Sequence, residues 1–302
     1  MVQVQPEEQK TCYYGAGLFV YTHSMAQHKR TLYISDLDGT LLNDESRLSG
    51  HTVQRLNELI AKGMLFSIAT ARTPATVVDL MQEVKMNIPA ILMTGALTYD
   101  LATKQYLAIS SFPQEVARQL IDMVATGDMF PMIYYIEQSQ LYVAYRNPIN
   151  AQQQAFITQR TGTPYKKYVE VDEGFTVPEK CVLIFFMGDY DKLEAIYNHI
   201  SDTAGHHSYL YYDNLQPTQG YLEIYPSGTT KAGAIQQLAQ RIGVDEVVVF
   251  GDNVNDMSMF EIAQRSYAVE NAVESLKERA TDIIASNTHD GVVQFLFHDF
   301  KG

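Results

Sequence analysis

Asp36 and Asp38 close the apolar run "TLYISDLDGT", two residues apart and followed at once by Gly39 and Thr40. A second run, "VVVFGDNVND", ends the same way at Asp252, with Asp256 one helical turn later. A carboxylate taken out of water without a partner costs several kcal/mol. If the two runs are neighbouring strands, three or four carboxylates meet at one point. Such a cluster is tolerable around a hard cation, and an all-oxygen set suits Mg²⁺. Thr70, just past the apolar run "MLFSIAT", offers a hydroxyl and nearby N–H groups to an anion. Lys231, in "PSGTTKAG", opens a helix and would neutralise an anion being transferred. Each residue has a plainer reading alone: Asp-x-Asp-Gly as a turn, Asp252 and Thr70 as helix caps, Lys231 as a solvated surface lysine. Carboxylates at the ends of two apolar strands in one chain are harder to explain as punctuation.

The elements around these residues follow from hydrophobic periodicity. Residues 31–35 read as a strand. Val53, Leu56, Leu59 and Ile60 recur at helical spacing, and Gly63 ends that run. A second strand at 64–70, a helix opened by Pro74 over 74–84 and a third strand at 90–95 complete a β-α-β-α-β rhythm. Unbroken apolar strands in that rhythm predict a parallel sheet covered on both faces. Alternate strand residues share a face, which points Asp36 and Asp38 together into the crevice beyond the strands' carboxyl ends.

The pattern then changes. Residues 97–100 and 105–110 flank "LATK" as a hairpin would. From 113 to 225 the apolar runs are tyrosine-rich and alternate, with helical stretches at 113–126, 149–161 and 190–202. That predicts an α+β insert built on an antiparallel sheet. Tyr134, Tyr135, Tyr142 and Tyr145 are expected to pack this sheet rather than stack on a ligand. The first rhythm resumes with a helix at 230–242, a strand at 247–252 and a helix from about 255. The expected architecture is α/β: a Rossmann-like core of residues 28–112 and 226–302, with 113–225 inserted as a cap. Residues 1–27 are expected to lie outside the fold, Met25 being a natural start for the domain.

Composition narrows the function. The chain is 46% hydrophobic and 19% charged, with a net charge of −13 and no strongly basic block. It lacks the phosphate-neutralising clusters that nucleic-acid binding needs. Cys12 and Cys181 are too few and too far apart for a disulfide framework or a zinc site, which suits a reducing, cytoplasmic setting. The apolar stretch "YYGAGLFVY" is too short to span a bilayer, and its upstream flank is acidic, so no membrane partner is expected.

The stretches "DLDGTLL", "IATAR", "SGTTKAGAI", "GDNVNDMSMF" and "AVENAVESLKERATDIIASNTHDGV" together resemble the haloacid dehalogenase superfamily phosphatases, most closely the Cof-type branch. The resemblance spans residues 31–100 and 220–295. The inserted segment is similar only in architecture. The resemblance implies Mg²⁺ as cofactor and hydrolysis of a small phosphorylated metabolite, such as a sugar phosphate, through an aspartyl-phosphate. Asp36 matches the nucleophile, Asp38 the general acid/base, Thr70 the phosphoryl-holding hydroxyl and Lys231 the neutralising lysine. The implied metal set is Asp36, Asp38, Asp252 and Asp256. The implied substrate contacts are Thr70, Ala71, Arg72, Thr94, Gly95, Lys231 and Asn255. Two positions depart from the family pattern. Ala71 stands where Gly is frequent, and Thr94-Gly95-Ala96 where Asn-Gly-Ala is frequent. Two other uses of these residues stay open: phosphoryl transfer to a second acceptor, and a phospho-acceptor switch. Asp38 and the large insert both weigh against a switch.

Overall fold

The computed structural model describes residues 29–125, 129–147, 149–213, 216 and 218–301. The expectation for residues 1–27 lies outside them. Strand β1 (Thr31–Ser35) leads through a tight loop to helix α1 (Gly50–Ala61), strand β2 (Leu65–Ile68), helix α2 (Pro74–Leu80) and strand β3 (Ala90–Leu92). Strands β4 (Leu97–Asp100) and β5 (Gln105–Ile109) form the expected hairpin. The next segment holds α3 (Gln114–Val124), β6 (Met132–Glu137), β7 (Gln140–Tyr145), α4 (Ala151–Arg160) and β8 (Lys166–Glu170). It continues with β9 (Cys181–Asp189), α5 (Tyr190–Ile200), β10 (His206–Tyr212) and β11 (Gln219–Pro226). The chain closes with α6 (Lys231–Ile242), β12 (Glu246–Gly251), α7 (Met257–Ile262), β13 (Arg265–Val269), α8 (Glu274–Lys277), β14 (Asp282–Ile284) and α9 (Gly291–Asp299).

The main sheet is parallel, in the order β14-β13-β12-β1-β2. β1 lies between β12 and β2 inside the sheet, and Leu32 and Ile34 are fully buried. Register decides what happens at its end. Ser35 pairs with Phe250, and the Asp36 amide donates to the Phe250 carbonyl at 2.9 Å. β1 and β12 therefore stop at one level, and Asp36 and Asp252 leave the sheet side by side. The Ala69 amide donates to the Ser35 carbonyl at 2.9 Å, which brings Thr70 to the same rim.

β3 differs from its expectation. It is three residues long, touches the main sheet through a single parallel bridge between Ala69 and Ile91, and pairs antiparallel with β4. Its chain cannot run on because the loop after β2 captures it: the Met93 amide donates to the Arg72 carbonyl and the Thr94 amide to the Thr70 carbonyl, both at 3.1 Å. Helix α2 also stops at Leu80, short of 84.

The inserted segment builds a six-stranded sheet in the order β10-β11-β9-β6-β7-β8. It is antiparallel except at β7–β8, where Leu141–Tyr145 run parallel to Lys166–Glu170. β8 was not foreseen, because its run "KKYVE" is too charged to stand out as a strand. Alternation divides the faces. Ile133, Tyr135, Ile184 and Phe186 pack with the α3 and α5 residues Leu120 and Leu193. Met132, Tyr134, Leu183 and Phe185 face the other way and belong to the cluster that includes the main sheet.

The turn after β3 carries backbone strain. Met93 and Thr94 both sit in the left-handed region, at φ +50° and +55°. A β-branched residue pays there for its Cβ, at about 1–2 kcal/mol, whereas Asn tolerates the region. Thr94→Asn should raise the urea midpoint by an amount corresponding to about 1 kcal/mol. An unchanged or lower midpoint would show that the turn is not strained at this residue.

Candidate active site

The deepest feature of the rim is an ion triad. Lys231, at the first turn of α6, is completely buried, and its Nζ lies 2.6 Å from Asp36 Oδ1 and 2.6 Å from Asp256 Oδ1. Asp36 is 4% exposed and Asp256 is not exposed at all. The second Asp256 oxygen accepts from the Asp252 and Asn253 amides at 3.0 and 3.1 Å, so this carboxylate is fixed at both ends. Asp252 is held by the Thr40 hydroxyl, which donates to Oδ1 at 2.9 Å. Gly39 makes this packing possible. Its φ is +75°, and a Cβ there would overlap the Asp252 carboxylate. Gly95 plays the same part for the helix that carries Lys231: at φ +99°, it lies so close to the Thr230 carbonyl that no side chain fits.

Charge is in excess on the acid side. Burial pushes the Asp36 carboxyl up to about 7, with Lys231 opposing and Asp256 and Asp252 reinforcing the rise. Asp252 is pushed up to about 6, by burial first and then by Asp256. Burial works against the Lys231 cation, but Asp256 and Asp36 outweigh it and raise its pKa. Oxygen atoms of Asp36, Asp252 and Asp256 all lie within 4.8 Å of one another. An oxygen-only acidic set this compact fits a hard divalent cation.

Asp38 does not join that set. Strand β1 ends at Ser35, and the half-exposed Asp38 carboxylate turns to Arg72. Arg72 Nε and Nη2 donate to its two oxygens at 2.7 and 2.5 Å, a bidentate pair. Three carboxylates converge, then, and the side chain of the fourth expected metal ligand points elsewhere. Thr70 is buried at the rim, and its hydroxyl accepts from the Arg72 amide at 3.2 Å. Ala71 and Arg72 follow it into the cleft described below. Thr94 is buried beneath Tyr225, whose hydroxyl faces both Thr94 and Glu223. Asn255 stands exposed on the turn before α7.

Residues 33–296 match the family model described as haloacid dehalogenase-like hydrolase. The chain belongs to this family. A 5-amino-6-(5-phospho-D-ribitylamino)uracil phosphatase of Bacillus subtilis is 28% identical over 283 residues, 86% of this chain and 95% of that protein. A pyridoxal phosphate phosphatase of Escherichia coli is 26% identical over 270 residues, 87% of this chain and 96% of that one. Among solved structures, a haloacid dehalogenase-like hydrolase from Bacteroides thetaiotaomicron superposes with a TM-score of 0.72 at 24% identity, covering 90% of this chain and all of that one (100%). The protein is thus a phosphomonoester hydrolase of the haloacid dehalogenase-like family, with the parallel core expected of it. No helix among the described residues is long and apolar enough to cross a membrane.

Sequence reasoning missed the other half of the site. A cleft of about 430 Å³ runs from Ala71, Arg72 and Thr73 to the inserted sheet, where Phe156, Arg160, Lys166 and Glu223 line it. Tyr134, expected only to pack the sheet, also borders this cleft, as do Tyr211, Tyr221 and Tyr225. Tyr135 and Tyr142 stack on each other, with ring centroids 5.3 Å apart, away from the cleft as expected. One signal was available: Glu223 interrupts the apolar run "YLEIY" on the same face as Tyr221 and Tyr225.

Proposed function

We propose that the protein is a Mg²⁺-dependent phosphatase of small phosphorylated metabolites, acting through an aspartyl-phosphate on Asp36. The observation that carries this reading is the fully buried Lys231 held between Asp36 and Asp256 at the end of β1. Asp36 Oδ attacks phosphorus, and the ester P–O bond breaks as the new bond forms. Asp38 gives the leaving alkoxide a proton, then takes one from the water that attacks phosphorus and releases Asp36. Both Asp38 oxygens are engaged by Arg72. The pair must open for this duty, which frees the guanidinium for a phosphoryl oxygen. Two unit charges of like sign at 4 Å repel by roughly 4 kcal/mol at an effective dielectric near 20. Lys231 offsets that repulsion between Asp36 and the phosphate. Asp36, Asp252 and Asp256 would hold the metal, which when bound supplies further charge neutralisation.

We read residues 28–112 and 226–302 as the catalytic core and 113–225 as a lid over it. The shared cleft supports this, as do the two crossings, which lie side by side: Ser110 and Thr229 hydroxyls are 2.7 Å apart, and Gly228 has φ +79°. Exhaustive chelation should abolish phosphate release from p-nitrophenyl phosphate, and added Mg²⁺ should restore it. Full activity after chelation would remove the metal from the scheme.

A further inference from the structure

Among the described residues, the cationic side chains at the lid end of the cleft, Lys166 and Arg160, form no ion pair with an acidic side chain. Lys166 is only 3% exposed, yet among the described residues its ammonium makes no hydrogen bond or ion pair. It lies over two aromatic rings, 5.9 Å from the Phe156 centroid and 5.2 Å from that of Tyr168, contacts that offset only part of the cost of its burial. The Tyr168 hydroxyl is buried without a hydrogen-bond partner among the described residues. Arg160 stacks on the same Phe156 ring, its guanidinium carbon 3.9 Å from the centroid, and among the described residues its one hydrogen bond is a long contact to Gln159 at 3.4 Å. Burial, helped by nearby Arg160, pulls Lys166 down to about 8. A buried cation without a counter-ion is costly, and adding a second one nearby makes it more so. The structure keeps both, and both line the cleft.

Much of the remaining cleft wall is aromatic, with Leu183 and Glu223 set among the rings. Phe185 stacks on Tyr221 with an interplanar angle of 5°, and Phe156 leans on Phe185 at 5.8 Å. Such a wall suits a planar ring. Resting on the phosphatase reading above, we propose that Lys166 and Arg160 form a second anion subsite, and that the substrate is a phosphomonoester of a planar ring that also carries a second acidic group. The phosphoryl end is served by Asp36, Thr70 and Lys231. The second acid at the far end supplies the counter-charge these two side chains lack.

Phenyl phosphate and its meta-carboxy, para-carboxy and para-carboxymethyl derivatives provide the probe, since they share a ring and a phosphoryl group and place a carboxylate at different reaches. At least one carboxylated ester should show kcat/KM about tenfold or more above phenyl phosphate, through a lower KM, as a charge-assisted contact implies. Lys166→Met and Arg160→Gln should each return that ratio towards one. The ratio is internal to each variant, so a general loss of activity does not imitate the effect. If Lys166→Met fails to fold, Arg160→Gln, at a half-buried position, gives the same reading. Hydrolysis of phenyl phosphate with no carboxylate preference, or a preference that neither variant moves, overturns the subsite alone. No phosphate release from any of the four esters overturns the phosphatase reading and the subsite with it.

Discussion

Asp36→Asn should lower kcat for p-nitrophenyl phosphate by ~10⁴-fold or more, the scale seen when a covalent nucleophile is removed. The fold should survive. Asparagine keeps the shape of the side chain, and its carbonyl can still accept from Lys231 Nζ, which sits 2.6 Å from Asp36 Oδ1. Asp256 remains to pair with the lysine, at the same distance. One of three clustered carboxylates is lost, and with it a charge that burial disfavours and that Asp256 and Asp252 repel. The urea midpoint should therefore not fall. Near-normal turnover by a folded variant, with deamidation excluded by mass, would take the nucleophile's role from Asp36.

The contrast between Asp36 and Asp38 shows how far a pattern rule reaches. Both were expected on one face of a strand. The rule holds only while the strand continues, and β1 ends at Ser35. Beyond it no sheet pairing fixes which way a side chain faces, and Asp38 pairs with Arg72. The position of Asp252 was legible because it depends on few features: an apolar strand, a stop, and a neighbouring strand that ends at the same level. Lys231 was legible as a candidate, but its burial was not. That depends on how closely α6 approaches the turn after β3, and the approach is set by the contact of Gly95 with Thr230.

Lys166 and Arg160 were not legible for a related reason. In "PYKKYVE" two adjacent lysines sit between tyrosines, a pattern that reads as a solvated strand. The burial of Lys166 follows from α4, which lies across the inserted sheet and sets Phe156 and Arg160 over that strand. A residue's exposure in a half-polar strand is decided by what crosses above it, and those residues are distant in sequence. β3 makes the same point in reverse. Its apolar residues spell a core strand, but backbone hydrogen bonds from the loop after β2 end it after Leu92.

Lys231→Met should cost both activity and stability, and the two losses have separate causes. Two buried carboxylates, Asp36 and Asp256, would face each other with no cation between them. Breaking a buried pair by removing one partner typically destabilises by about 3–5 kcal/mol, because the remaining charge is stranded. Measured in excess chelator, so that no metal takes the lysine's place, the urea midpoint should drop accordingly. Activity with Mg²⁺ should fall by ~10²–10³-fold, the scale of losing one fixed charge-stabilising group. The double variant Lys231→Met with Asp36→Asn separates the effects. It removes one stranded carboxylate, so it should recover part of the stability while remaining inactive, and the two changes should be clearly non-additive. A Lys231→Met protein as stable in chelator as the parent would mean that the triad contributes no stability. Additive losses in the double variant would mean that Lys231 and Asp36 do not act on each other.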